Sequence, residues 1–68
     1  MASKWEGEVE VIKMADKAML IRPDEDEEKE GWVPFSLIDA ESTINEDSGD
    51  GDTGVLIIPN WKAEELGW

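Results

Sequence analysis

Sixty-eight residues carry 18 acids against 6 bases, a net charge of −12, with no cysteine and no histidine. This excludes disulfides and thiolate metal sites, removes the commonest general base, and makes direct binding to nucleic acid unfavourable, because so acidic a body repels phosphates. Only one domain, spanning 1–68, fits this length, and its core can supply no more than about 3–5 kcal/mol unaided.

The opening residues show no basic region followed by an apolar stretch, which predicts no signal peptide. No apolar run approaches the roughly 20 residues a bilayer needs. The expected setting is soluble and cytoplasmic, with no membrane partner. High net charge favours disorder. However, 40% of residues are hydrophobic, four of them Trp, and they cluster between charged stretches. A folded domain with two acidic loops is expected.

Trp5, Gly7, Val9 and Val11 alternate with Glu6, Glu8 and Glu10. Period two with β-branched residues predicts a half-buried strand over 5–14. Ala15-Asp16-Lys17 is a turn. Ala18 to Arg22 predicts a second, more apolar strand, ended by Pro23, which has no N–H for a ladder. An acidic run follows: Asp24, Glu25, Asp26, Glu27, Glu28, Lys29 and Glu30, six carboxylates in seven residues. A third strand is expected over 32–38, at an edge or bulge because of Pro34. Residues 39–54 form a second acidic loop with no periodicity. Val55 to Ile58 predicts a short buried strand stopped by Pro59. Asn60 is a good N-cap for a helical turn over 61–66, and Gly67 suits the left-handed position after it. Trp68 then folds back toward Ala63. The expected core is Val9, Val11, Leu20, Val33, Leu56, Ile58 and Leu66 with Trp61, and three of the four Trp are expected to fill it.

Four short strands and a terminal helical turn predict a mainly β, all-β-class domain, a small antiparallel SH3-like barrel or rolled sheet. Gly31-Trp32-Val33-Pro34 followed by Ser36 is similar to the G-W-x-P-S stretch of SH3 domains. The likeness covers five positions, contains an inserted Phe35, and lacks the tyrosines of an SH3 peptide groove. A broader pattern runs through Ala18-Met19-Leu20-Ile21, Trp32-Val33-Pro34-x-Ser36-x-Ile38, an acidic gap, and Ile58-Pro59-x-Trp61-x-Ala63-Glu64-Glu65-x-Gly67. This resembles a family of small phage and prophage proteins with the pattern ALLV…WIPKSQI…acidic…IPEWLAEEKGL. It spans residues 18–68 and implies a phage setting, with no active site. Phe35 stands where that pattern has Lys, Leu37 where it has Gln, Lys62 for Leu and Trp68 for Leu.

The 24–30 run is open to three readings: a mimic of a phosphate backbone, a cation site, or a solvated hairpin loop. Duplex DNA carries one charge per ~1.7 Å of axis, roughly one per 100 Å² on a cylinder of ~10 Å radius. Spread over the ~4,300 Å² expected for this mass, twelve charges fall about threefold short. Mimicry therefore needs the acids gathered on one face, as they are if the two acidic loops lie side by side. Glu6, Glu8 and Glu10 add a line of charges at about 6.8 Å, twice the strand rise. The plain alternative for that row is the solvated face of an edge strand that discourages aggregation. For the loop 45–54, a calcium frame started at Glu46 puts Ile57 where a bidentate Glu is required, so no metal is expected. Phe35 and Leu37 are open to two readings, an exposed contact patch or residues buried beneath an acidic loop. Without His or Cys, catalysis has no supporting motif, so no enzyme activity and no cofactor are expected.

These features point to a phage-type accessory protein that acts by binding and inhibiting a host protein with a basic nucleic-acid-binding surface, of the anti-CRISPR or anti-restriction type. The partner-binding residues expected are Asp24, Glu25, Asp26, Glu27, Glu28 and Glu30 for first contact, with Trp32, Phe35 and Leu37 as apolar anchor. The alternative is an SH3-like structural module that assembles with itself or with a virion or replication protein, its charge serving solubility.

Overall fold

The computed structural model describes residues 4–26 and 28–68. Strand β1 runs Lys4–Met14, β2 Ala18–Pro23 and β3 Gly31–Pro34. A single 3-10 turn, Phe35–Leu37, follows, then β4 Thr53–Pro59 and the helix α1 Asn60–Leu66. The strands form one open antiparallel sheet in the order β3-β2-β1-β4. The expected small antiparallel β domain is thus observed, as an open sheet with a short C-terminal helix.

Register decides which side chains share a face, because successive residues of a strand alternate. Val11 pairs with Ile21, Met14 with Met19, Met19 with Val33, and Trp5 with Ile58. The buried core follows from these pairs: Val9, Val11, Met19, Ile21, Val33, Leu56 and Ile58, completed by Ile44 and Ala63. Leu20 is a correction to the expected core. It pairs with Trp32 and Lys13 and is half-buried on the opposite face. A bulge between Val11 and Lys13 shifts the register there.

The third strand is shorter than expected. It stops at Pro34, and the chain turns through Phe35–Leu37 to cross the core side of the sheet. Residues 39–44 then cover the outer edge of β4. Asp39 N–H donates to Ile57 O (2.9 Å) and Thr43 N–H to Val55 O (2.9 Å). The Ser42 hydroxyl accepts Ile57 N–H (2.8 Å), and the Thr43 hydroxyl accepts Val55 N–H (2.7 Å). Two hydroxyls and two backbone N–H groups thereby satisfy an edge that otherwise invites pairing with another chain. Gly54 permits the close approach: a Cβ there would lie 2.4 Å from Thr43 Oγ1 and 3.1 Å from Ile44. Ile44, 2% exposed, is the core residue hidden in a stretch that reads as loop.

Helix α1 lies on the same side of the sheet. Its N-cap is Pro59 rather than Asn60, with no side-chain capping bond. Gly67 closes it in the left-handed region, φ 81°, and Trp68 N–H donates to Ala63 O (2.9 Å). This is the expected fold-back. Leu66, half-buried rather than buried, reaches over Gly31, where a Cβ would come within 2.6 Å of it. Trp61 is a second correction: it is 56% exposed. At about 100° per residue, the two positions separating Trp61 from Ala63 turn it away from the sheet. Trp5 and Trp68 are the Trp that join the core, with rings 5.0 Å apart at 54°. Trp32 and Trp61 stay exposed, so two Trp pack inside, where three were expected.

Candidate functional site

Among the described residues, the elements packed on the core lie on one side of the sheet, and they leave its other face bare. By register that face carries Glu6, Glu8 and Glu10 on β1, Leu20 and Arg22 on β2, Trp32 on β3, and Val55 and Ile57 on β4. All of these are half-buried or exposed, whereas Val9, Val11, Met19, Ile21, Val33, Leu56 and Ile58 on the core face are fully buried. Glu10 accepts a hydrogen bond from the Arg22 guanidinium at 2.8 Å. Glu6 and Glu8 are exposed. Asp24 N–H donates to Glu8 O (3.0 Å), so the acidic loop leaves the sheet beside this row.

The expected contact residues fall in three places. Asp24, Glu25 and Asp26, with Glu28 and Glu30, lie along the loop between β2 and β3. Glu27 lies outside the described residues. Asp26 Oδ1 accepts Glu28 N–H (3.0 Å), and Lys29 lies 3.9 Å from the same carboxylate. Glu25, Asp26 and Lys29 border a hollow of about 50 Å³ against Trp5, Pro23 and Trp68. Trp32, 44% exposed, stands on the bare face. Phe35 is on the core side, half-buried against the core, and Leu37 is half-buried in the same turn.

The two acidic loops do not lie side by side. The first departs at Glu8 on the β2 edge of β1. In the second, Gly51 N–H donates to Val11 O (2.7 Å) and Val11 N–H to Asp52 O (2.8 Å), on the side of β1 that faces β4. Several acids of the second loop build it. Asp39 Oδ1 accepts Glu41 N–H, Asp50 Oδ1 accepts Met14 N–H, and Asp52 Oδ2 accepts Gly49 N–H, at 2.8–2.9 Å. A carboxylate serves here as a fixed turn acceptor. Glu46 and Asp47 remain exposed. With Asp39 they rim a hollow of about 230 Å³ floored by Phe35 and Ile38. A second hollow, about 420 Å³, shares Phe35 and Glu46 and adds Pro34, Asp16 and Lys17. Among the described residues, no three acids come together as a metal-binding set.

Asp39 also bonds Lys4 across the β4 edge. The bond holds Asp39 below the usual carboxylate range and raises Lys4. The signs follow from linkage. Asp39's contribution is complete above its unfolded pKa of about 3.9 and is lost as pH falls through the lower folded value. Lys4's is complete below its unfolded pKa of about 10.4 and is lost as pH rises through the higher folded one. Lys4→Met should therefore lower the melting temperature modestly at neutral pH. The difference from wild type should vanish in acid, once Asp39 is protonated in both. A deficit that persists unchanged at the lowest pH would assign the effect to lost packing of the lysine stem.

No protein-family description, curated protein or solved structure matches this chain. Among the described residues, no helix is long and apolar enough to cross a membrane.

Proposed function

We propose that this chain is a small acidic binding protein, a phage-type accessory factor that occupies the basic, nucleic-acid-handling surface of a host protein and inhibits it. One observation carries the reading: Glu6 and Glu8 stand in a line on an uncovered sheet face, and the 24–30 loop starts beside them at Asp24. A surface of 4366 Å² shared among twelve net charges leaves about 360 Å² for each, far sparser than DNA. The gap narrows locally, where Asp24 joins the Glu6–Glu8 row at the edge of β1, while Glu25 and Asp26 border the Trp5–Trp68 side. Carboxylates there would stand in for phosphates, giving fast association that weakens with salt. A second reading, an assembly module, is favoured by Trp32 and Leu20 on the same bare face.

Affinity capture from host lysate at low and high salt separates the two. For the mimic, the captured protein should be one that binds nucleic acid, should elute as salt rises, and should be displaced by duplex DNA or RNA at low salt. Capture that survives high salt, or a complex in which nucleic-acid binding continues undisturbed, would replace this reading with the assembly module.

A further inference from the structure

The hollows beside Phe35 are not needed for charge mimicry, and their chemistry differs from that of the acidic loop. They combine an apolar floor, Phe35 with Ile38, with carboxylates on the rim. Of those, Asp39 is held by Lys4, while Glu46 and Asp47 are exposed. The backbone beneath them is fixed: Asp47 N–H donates to Asn45 Oδ1 (2.8 Å), Asn45 N–H to Ser48 Oγ (3.0 Å), and Ser48 N–H to Asn45 O (2.9 Å). The backbone that carries the two acids is therefore ordered before anything binds, while their side chains stay exposed.

Resting on the binding function proposed above, we infer that these paired hollows receive an arginine side chain of the basic partner. The first hollow, about 230 Å³, lies below the range of small-ligand pockets, about 300–1,000 Å³, and the second, about 420 Å³, lies near its lower end. They suit one long side chain. The rim is negative, with Lys17 as its cation, so the occupant is cationic. A flat, weakly hydrated guanidinium stacks on an aromatic ring and offers paired donors to carboxylates, whereas a lysine ammonium is a compact, strongly hydrated point charge. Phe35 next to Glu46 supplies both halves of that recognition. A second copy is a poor occupant. The chain's one arginine, Arg22, is bonded to Glu10 on the opposite face, and two bodies of net −12 repel each other.

The test uses the full chain and needs no identified partner. N-acetyl-arginine amide, N-acetyl-lysine amide and sodium chloride are titrated at matched ionic strength, and backbone amide shifts are followed by NMR. Arginine amide should produce saturable shifts centred on Phe35, Glu46 and Asp47, larger than those from lysine amide. Phe35→Leu, which keeps an apolar core contact, should weaken arginine binding about two- to fivefold, the range of an exposed cation–π contact. Glu46→Gln with Asp47→Asn should remove the preference over sodium chloride even if Phe35→Leu folds poorly. Glu64→Gln, exposed on α1, should leave the shifts unchanged. Equal responses to all three solutes, or arginine shifts centred on 24–30, would overturn the inference. If arginine localises here but the captured host protein is not displaced by DNA, the mimic reading fails and this pocket stands. If displacement holds while arginine does not localise, only the pocket fails.

Discussion

Ile21→Ala should leave the domain largely unfolded, while Leu20→Ala, one residue away, should be tolerated. Ile21 is fully buried against Val11 and Gly31 on the core side of β2. Truncating a buried Ile costs about 2–5 kcal/mol, including the cavity left behind. A domain of this size holds about 3–5 kcal/mol in total, so the loss consumes most of it. Leu20 is half-buried on the uncovered face, where truncation leaves a shallower surface that water can fill. Ile44→Ala should resemble Ile21→Ala, since Ile44 is equally enclosed. Thermal or urea melts of the three variants decide this. A severe loss for Leu20 with a mild one for Ile21 would mean that β2 is set one residue out of register.

The same pair shows where the sequence was readable and where it was not. β1 announced its faces, because Glu6, Glu8 and Glu10 alternate with Gly7, Val9 and Val11. β2 offers Ala-Met-Leu-Ile in a row, so hydrophobicity alone cannot fix its parity. Arg22 could have done so: a charged residue faces solvent, and Leu20, two positions away, shares its face. Gly67 and the fold-back of Trp68 were legible because few residues accept a positive φ. Trp61 reads as core because so short a helix needs packing and Trp is its largest side chain, but the helical phase set by Ala63 and Leu66 turns it outward. Ile44 was missed because the backbone of 39–44 is satisfied by β4 and by two hydroxyls, a pattern with no period to detect. Its one signal was an isolated Ile inside a polar run. The acidic run itself was plain in the sequence, but its neighbours were not. Only the register places the Glu row beside Asp24, and only the docking of Gly51 and Asp52 on Val11 separates the second loop from the first.

Neutralising the acids should weaken partner binding far more than it affects the fold, and the two groups of acids should contribute separately. Asp24→Asn, Glu25→Gln, Asp26→Asn and Glu28→Gln remove four carboxylates from the loop. At roughly 0.2–1 kcal/mol for each exposed ion pair, binding should fall on the order of 10–100-fold at low salt. Asn at 26 keeps the Oδ1 that accepts Glu28 N–H, so the turn should persist. Glu6→Gln with Glu8→Gln should also weaken binding, by a smaller factor, because two charges are lost instead of four. Both sets should flatten the dependence of affinity on salt, since screening acts on the charges removed. Neither should lower the melting temperature appreciably, because all of these side chains but the half-buried Asp26 are exposed, and the loss of its 3.9 Å pair with Lys29 is offset by relief of repulsion among the acids. The loop set and the β1 set should combine additively if each meets its own part of the basic surface, and less than additively if one cationic group serves both. Affinity that falls with unchanged salt dependence would show that the variants act through shape, and the acids would then be solubilising groups on an assembly surface built around Trp32.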